Sequence, residues 1–269
     1  SLVRRAKREH EKNIALNAKT NPKAFWQYTN SKLKTKSSIP DLDTPNDGKA
    51  TTDSEKASTL NTFFSSVFTS STGVEPETLP SFTDEIINDI FIDEEIIQDK
   101  LNKLVTSKSP GPDMLHPKLL FEIKEEITKP LCLLFNQSLT TGTLPRDWRD
   151  ANISAIFKKG KKSNPNNYRP VSLTSIICKI LESIIRDSIY DHLKDNKLFS
   201  KKQFGFLKGR STTLQLLITL EEWTKIIDDG GEIDIIYFDL MKAFDKVPHK
   251  KLITKIEAHG IKGTTKNWI

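Results

Sequence analysis

The chain has 269 residues, of which 36% are hydrophobic and 28% are charged, and its net charge is +6. This length predicts one main domain with appendages, and the polar composition excludes a membrane-embedded chain. No apolar run reaches the roughly 18 residues of a membrane span, and the first residues lack the apolar core of a signal peptide. Cys132 and Cys178 lie in apolar runs, which predicts buried, reduced thiols.

Charge is distributed in blocks along the chain. Residues 1–40 carry ten basic and two acidic side chains, and residues 141–212 carry fifteen basic and six acidic ones, whereas residues 41–100 are strongly acidic. Clustered Lys and Arg are typical of surfaces that neutralise nucleic-acid phosphates. A solvated basic face explains the first block equally well.

Apolar spacing and capping residues predict seven helical segments. They cover residues 2–19, 22–36, 53–68, 93–105, 117–140, 174–193 and 211–227. Leu33 shares the apolar face of the second segment. Thr52 or Asp53 is expected to cap the third helix, and Asp93 is expected to cap the fourth.

The remaining segments predict loops and strands. Residues 37–52 and the acidic stretch 70–85 have loop composition, and the two prolines of 109–113 fix a turn. Short β-compatible runs at 152–158 and 168–174 flank a basic loop, which predicts a hairpin. The run I-D-I-I-Y-F-D-L within 232–240 predicts a buried strand.

Asp239 lies near the end of that predicted strand, on the same face as Ile235 and Tyr237. A carboxylate among apolar residues is costly to desolvate unless it binds a hard cation such as Mg²⁺. From this residue alone, capping of the next helix is the simpler interpretation. Asp234 points to the opposite face, and Asp245 lies beyond a turn and could face either way. The stretch therefore supplies one convincing metal ligand.

Four motifs occur in order along the second half of the chain. They are I-S-A-I-F-K-K-G-K at 153–161, N-N-Y-R-P-V-S-L at 166–173, Q-F-G-F-L-K-G-R-S-T at 203–212 and Y-F-D-L-M-K-A-F-D-K-V-P-H at 237–249. Together they resemble the reverse transcriptases of non-LTR, LINE-like retrotransposons of the jockey and CR1 type. The shorter runs K-S-P-G-P-D, L-P-R-D-W and C-K-I-L-E also match, and the resemblance covers about residues 22–269.

The resemblance implies an α+β fold, namely a truncated right-hand polymerase. Residues 1–100 are expected to form a mostly helical connector, and residues 101–231 the predominantly helical fingers with their β-hairpin. Residues 232–269 would be the beginning of the palm. Because this first palm strand lacks its partners, we expect the last 40 residues to be poorly packed.

The same resemblance implies roles for individual residues. Asp239 would be the catalytic aspartate that binds both Mg²⁺ ions, for which Mn²⁺ can substitute, with the backbone carbonyl of Leu240 as a further ligand. Lys158 and Arg169 would hold the triphosphate of the incoming nucleotide, the first as a point charge and the second as a bidentate fork. Phe244 would lie beneath the sugar and select deoxynucleotides, with plain core packing as the open alternative.

A weaker assignment concerns Lys208 and Arg210, which the resemblance places near template phosphates. A structural turn before the next helix explains the motif at 203–212 equally well. A metal-dependent nuclease that uses Asp239 with Asp245 is disfavoured, because their spacing gives no assured common face.

The implied function is RNA-directed DNA polymerisation, which joins dNTPs to a DNA primer on an RNA template such as the element RNA. Because the chain starts at Ser and stops before the further palm motifs of that family, we expect a fragment that is inactive alone. The alternative is a non-catalytic nucleic-acid-binding remnant of a decayed element. By resemblance the protein is intracellular, in cytoplasm and nucleus, with no membrane partner, and the sequence indicates no oligomeric state.

Overall fold

The computed structural model describes residues 2–32, 39–69 and 76–269. The helices in these ranges are α1 (Leu2–Leu16), α2 (Pro22–Lys32), α3 (Asp53–Ser65), α4 (Glu94–Asn102), α5 (Pro117–Glu122), α6 (Lys124–Thr141), α7 (Arg146–Arg149), α8 (Ile176–Asp195), α9 (Thr212–Asp228), α10 (His249–Ala258) and α11 (Gly263–Trp268). The strands are β1 (Leu42–Asp43), β2 (Lys49–Ala50), β3 (Ala151–Phe157) and β4 (Tyr168–Thr174). They pair as two small sheets, β1 with β2 and β3 with β4, in agreement with a mixed α+β class. No helix within the described ranges is long and apolar enough to cross a membrane.

Contacts divide the chain into two compact units. Unit 1 contains Ser1–Thr62 and Phe157–Tyr168, and unit 2 contains Phe63–Ile156 and Arg169–Ile269. The tip of the predicted hairpin therefore belongs with the N-terminal segment. The boundaries of these units coincide with neither of the predicted segment boundaries, residue 100 and residue 231. The predicted connector, fingers and palm segments stay predictions.

In unit 1 the predicted N-terminal helices form, although α1 ends at Leu16 and α2 at Lys32. Leu33 and the rest of the predicted second helix lie outside the described residues. The loop predicted at 37–52 contains the sheet of β1 and β2. Leu42 pairs with Ala50 in this antiparallel ladder, and both are buried. A ladder of two residues per strand is too short to leave a period in the sequence.

Helix α3 begins with a capping box, as the Thr52 prediction requires. The Thr52 hydroxyl accepts a hydrogen bond from the Glu55 N–H at 3.3 Å, and the Glu55 carboxylate accepts from the N–H groups of Thr51 and Thr52 at 2.9 and 3.0 Å. Leu60 is buried, but Phe68 is 60% exposed, so the predicted apolar stripe is only partly packed.

The core of unit 2 lies between α4, α6 and α8. Asp93 caps α4 as predicted, because its carboxylate accepts a hydrogen bond from the Ile96 N–H at 2.8 Å. The hydroxyl of Ser175 caps α8 through the Cys178 N–H. The buried apolar side chains of this core are Ile92, Ile97, Leu101, Leu131, Phe135, Leu139, Ile180, Leu181, Ile184 and Ile185. Packing of one apolar face from each of three helices explains why these segments were predictable from their spacing.

The turn at 109–113 packs against the junction of β4 and α8. Gly111 is buried, and a Cβ at this position would lie 2.5 Å from the carbonyl carbon and oxygen of Thr174 and 2.6 Å from the nitrogen of Ser175. A Cβ atom has no room at such distances. The structural role expected for this motif is therefore a close approach of two backbone segments.

The stretch 232–240 forms no strand, contrary to the prediction. Its side chains are largely exposed, including Tyr237 at 83% and Phe238 at 89%. A strand needs a neighbour for its backbone hydrogen bonds, and no other segment of the described chain pairs with this one. The apolar run that predicts a buried strand is therefore an open surface in this structure.

The expectation that the last 40 residues pack poorly is wrong for their second half. The N–H of Ile87 donates to Gly260 at 2.9 Å, and the N–H of Lys262 donates back to Ile87 at 2.8 Å. Ile261 is buried, and the indole N–H of Trp268 donates to the hydroxyl of Ser138 at 3.0 Å. Helices α10 and α11, which the sequence did not predict, belong to this packed part of unit 2.

Candidate functional site

The hairpin of β3 and β4 carries the first two predicted site residues. Lys158 directly follows β3, and its backbone N–H donates to the carbonyl of Asn167 at 2.8 Å. Arg169 is the second residue of β4. Lys158 belongs to unit 1 and Arg169 to unit 2, and both side chains are exposed. Each is accessible to a phosphate ligand.

Hydrogen bonds within the connecting loop fix the loop backbone. The Asn167 side-chain amide donates to the carbonyl of Lys161 at 2.8 Å, and the Tyr168 hydroxyl donates to the carbonyl of Lys162 at 2.7 Å. Gly160 has φ 90°, and a Cβ there would lie 2.6 Å from Nδ2 of Asn167, so the loop requires glycine at this position. The loop thereby presents lysine side chains on an ordered backbone.

The predicted palm residues lie on the open stretch that follows α9. Asp239 is exposed, Leu240 is 77% exposed and Phe244 is 81% exposed. Because Phe244 is so exposed, its side chain does not pack in a core in this structure. The carboxylate of Asp239 is likewise accessible, rather than enclosed among the apolar residues of a strand.

The described residues do not fit a complete metal site. Nowhere in residues 2–32, 39–69 and 76–269 do three His, Cys, Asp or Glu side chains come together as a ligand group. Asp239 thus offers one carboxylate, whereas a two-metal site needs several well-placed ones.

One aromatic contact joins the third and fourth motifs. The rings of Phe206 and Phe244 meet edge to face with centroids 6.3 Å apart, and Phe206 is 90% exposed with φ 62°. A bulky residue in the left-handed region is strained. Sequence reasoning could not find this pair, because ring contacts between residues 38 positions apart leave no local pattern.

Lys242 is a second residue that the sequence did not single out. Its Nζ lies 4.0 Å from the ring centroid of Phe63, which is a cation–π contact. Partial burial lowers the pKa of Lys242, and the nearby Asp245 carboxylate opposes that shift. The contact holds the turn at 241–246, of which Lys242 is the second residue.

The loop at 203–210 favours the structural alternative for Arg210. The guanidinium donates to the carbonyls of Lys201 at 2.6 Å and Ser200 at 3.4 Å, and also to that of Gln203. It lies 5.2 Å from the ring centroid of Phe204. Arg210 thus closes its own loop.

Lys208 in the same loop is exposed and differs in this respect. Its backbone N–H donates to the hydroxyl of Tyr190 at 3.1 Å. Of the two predicted template contacts, Lys208 is the one whose side chain the loop itself does not use.

The cysteines are not candidates for nucleophilic chemistry. Both are free, Cys178 is buried and Cys132 is half-buried. Burial raises the pKa of Cys178 to about 12, with a further contribution from Glu182, so the thiol stays protonated at neutral pH.

Comparison with known proteins gives one family match and several similar relatives. Residues 157–269 match the family described as reverse transcriptase (RNA-dependent DNA polymerase). The chain is 32% identical over 165 residues to a probable RNA-directed DNA polymerase from transposon BS of Drosophila melanogaster, which is 61% of this chain and 18% of that protein. It is 30% identical over 162 residues to the RNA-directed DNA polymerase from mobile element jockey of the same species, with 60% and 18% covered. The chain thus spans less than a fifth of these relatives.

Proposed function

We propose that the chain is part of an RNA-directed DNA polymerase of the non-LTR retrotransposon type, because residues 157–269 match the reverse transcriptase family and the chain is similar to the transposon BS and jockey polymerases. The matches to transposon BS and jockey polymerases confirm the resemblance that the four motifs indicated. The substrates would be an RNA template, a DNA primer and dNTPs, and the template would include the RNA of the element itself. The single observation that carries the proposal is the ordered set of motifs from 153 to 249. We also propose an intracellular location, in cytoplasm and nucleus.

For the hairpin, we propose that Lys158 and Arg169 hold the triphosphate. Both cations are exposed on a hairpin whose loop backbone is fixed by hydrogen bonds. Positive groups placed at the β- and γ-phosphates stabilise the negative charge that develops on the leaving pyrophosphate. An arginine fork adds orientation because it can donate two parallel hydrogen bonds.

For the open stretch, we propose that Asp239 and the carbonyl of Leu240 are ligands of a divalent cation, Mg²⁺ or Mn²⁺. Reverse transcriptases use divalent metal ions, and carboxylate oxygen suits both of these cations. Because the described residues bring no three such ligands together, we propose that residues 1–269 alone do not extend a primer. A right-hand polymerase fold that completes the palm sheet would supply both the strand partners and the further carboxylates.

For nucleotide selection, we propose that Phe244 lies beneath the sugar of the incoming nucleotide. Its ring is 81% exposed and is contacted edge to face by Phe206. A ring held in this way can exclude a 2′-hydroxyl by contact. Phe244→Ala would therefore relax discrimination between ribonucleotides and deoxynucleotides.

The test is primer extension on an RNA template by the product of the complete open reading frame. Asp239→Asn should reduce activity by about 10³-fold, because a neutral amide is a poor ligand for a hard cation whose charge stabilisation is worth several kcal/mol. Asp234→Asn is the matched control, since it removes the same charge from the same exposed stretch. Full activity of Asp239→Asn would refute the assignment.

A second candidate function is non-catalytic binding of nucleic acid by a remnant of a decayed element. Unit 1 favours it, because its residues include sixteen basic and seven acidic side chains. Affinity of the 269-residue chain for single-stranded RNA should then fall steeply with salt concentration, and a flat dependence would exclude this function. An Ala-Asp-Asp run encoded downstream of Ile269 would favour the polymerase instead.

A further inference from the structure

Asp43 joins the small N-terminal sheet to the tip of the basic hairpin. Its carboxylate forms an ion pair with Lys49, the residue opposite it in the ladder of β1 and β2. The same carboxylate accepts a hydrogen bond from the hydroxyl of Ser163 at 2.7 Å. Ser163 lies in the loop between β3 and β4, 120 positions further along the chain, and all three residues belong to unit 1.

The backbone of Asp43 adds a second hydrogen bond to the same residue. Its N–H donates to the carbonyl of Ser163 at 2.8 Å. Ser163 is therefore held both through its side chain and through its backbone. Two hydrogen bonds from one residue fix position and orientation together, which a single surface contact does not.

The restraint at Ser163 extends to Lys158 through the backbone of the loop. The carbonyls of Lys161 and Lys162, which immediately precede Ser163, accept the hydrogen bonds from Asn167 and Tyr168. Asn167 in turn accepts the backbone N–H of Lys158 at 2.8 Å. These hydrogen bonds all join residues within 158–168. They link Lys158 to the part of the loop that Asp43 holds.

The charge of Asp43 is maintained by its partners. Hydrogen bonds from Lys49 and Ser163 lower the pKa of the Asp43 carboxyl, with nearby Lys161 contributing in the same direction. Asp43 is therefore a carboxylate at neutral pH. It supplies an acceptor for Ser163 and a negative charge beside a loop that carries several lysines.

We propose that Asp43 is a positioning residue, which holds the hairpin tip in the orientation that lets Lys158 meet the triphosphate. The inference rests on the proposed role of Lys158. Asp43 does not touch the nucleotide in this scheme. It acts by reducing the conformational freedom that the hairpin would otherwise lose on binding.

The first experiment measures hydrogen exchange in the 269-residue chain without nucleotide. Asp43→Ala should accelerate amide exchange of residues 158–168 by about three- to tenfold. In the variant, local opening of the loop no longer has to break the hydrogen bond between Ser163 and the Asp43 carboxylate, so the loop opens more often. Asp43→Asn, which keeps an acceptor for the Ser163 hydroxyl, should fall between the wild type and Asp43→Ala. Asp47→Asn is the matched control, because Asp47 lies in the loop between β1 and β2 and makes no described contact with Ser163. Unchanged exchange in Asp43→Ala would overturn the inference.

The second experiment measures primer extension by the product of the complete open reading frame. Asp43→Ala should raise KM for dNTP about three- to tenfold and change kcat less than twofold, whereas a merely structural residue would lower the active fraction without moving KM. If Lys158→Ala raises KM and Asp43→Ala does not, the inference is wrong and the role of Lys158 stands. If neither substitution raises KM, the triphosphate role of Lys158 is wrong and the inference falls with it.

Discussion

Replacement of Gly111 by alanine tests how the turn at 109–113 supports the hairpin and α8. A Cβ at this position would lie 2.5 Å from the Thr174 carbonyl carbon and oxygen, about 0.9 Å inside ordinary van der Waals contact. All three neighbouring atoms belong to the backbone, so no side chain can move aside. Overpacking of this kind costs about 1–3 kcal/mol, and the site is buried, so solvent offers no relief.

The assay is thermal unfolding followed by circular dichroism. For a domain of this size a loss of 1 kcal/mol lowers Tm by about 2–4 °C, so Gly111→Ala should lower Tm by about 2–12 °C. Gly205→Ala is the matched control, because a Cβ there meets nothing within 4 Å and its φ is not positive. Alanine at such a site leaves stability unchanged or raises it by about 0.4–1 kcal/mol through the unfolded state. Equal Tm values for the two variants would refute the reasoning.

Three further substitutions probe the core, a helix cap and the basic loop. Phe135 is fully buried, so Phe135→Ala should lower the free energy of unfolding, measured with urea, by about 3–5 kcal/mol. Leu133 on the same helix is 66% exposed, so Leu133→Ala should lower it by less than about 0.5 kcal/mol. Hydrogen bonds from the backbone N–H groups just before α3 lower the pKa of the Glu55 carboxyl. The capping interaction of Glu55 is therefore fully present above about pH 4.3 and is lost as pH falls through the folded-state pKa. Glu55→Gln should make the amide exchange of α3 less dependent on acid pH. Lys161→Ala should reduce the slope of log affinity for single-stranded RNA against log salt by about 0.7. Lys103 directly follows α4 and forms an ion pair with Asp99, so Lys103→Ala should leave the slope unchanged.

The sequence predicted those parts of the fold that depend on local pattern. The caps at Thr52 and Asp93, and the helices α3 and α4 that begin at them, follow from residue type and spacing within a few positions. The β-hairpin also forms where alternation and turn composition place it. The prediction of a strand at 232–240 was wrong. A strand needs a hydrogen-bonding partner as well as a β-compatible sequence, and none of the described segments pairs with this one.

The candidate site shows the same difference between residues found from local motifs and contacts that form only on folding. Motif resemblance found Lys158, Arg169 and Asp239 from short runs of sequence, and all three are accessible. It could not find Asp43, whose partner Ser163 is 120 positions away, since only folding brings the two together. Arg210 matched a motif by position, yet its guanidinium is committed to carbonyls of its own loop.

The unpaired stretch after α9 has a practical consequence for handling the protein. A free backbone edge flanked by Ile236, Tyr237 and Phe238 is a template on which further molecules can stack by intermolecular β-pairing. The 269-residue chain should therefore form oligomers and precipitate as its concentration rises. Ile236→Lys places a charge on that edge, away from the cores of both units, and is the substitution that should keep concentrated samples clear.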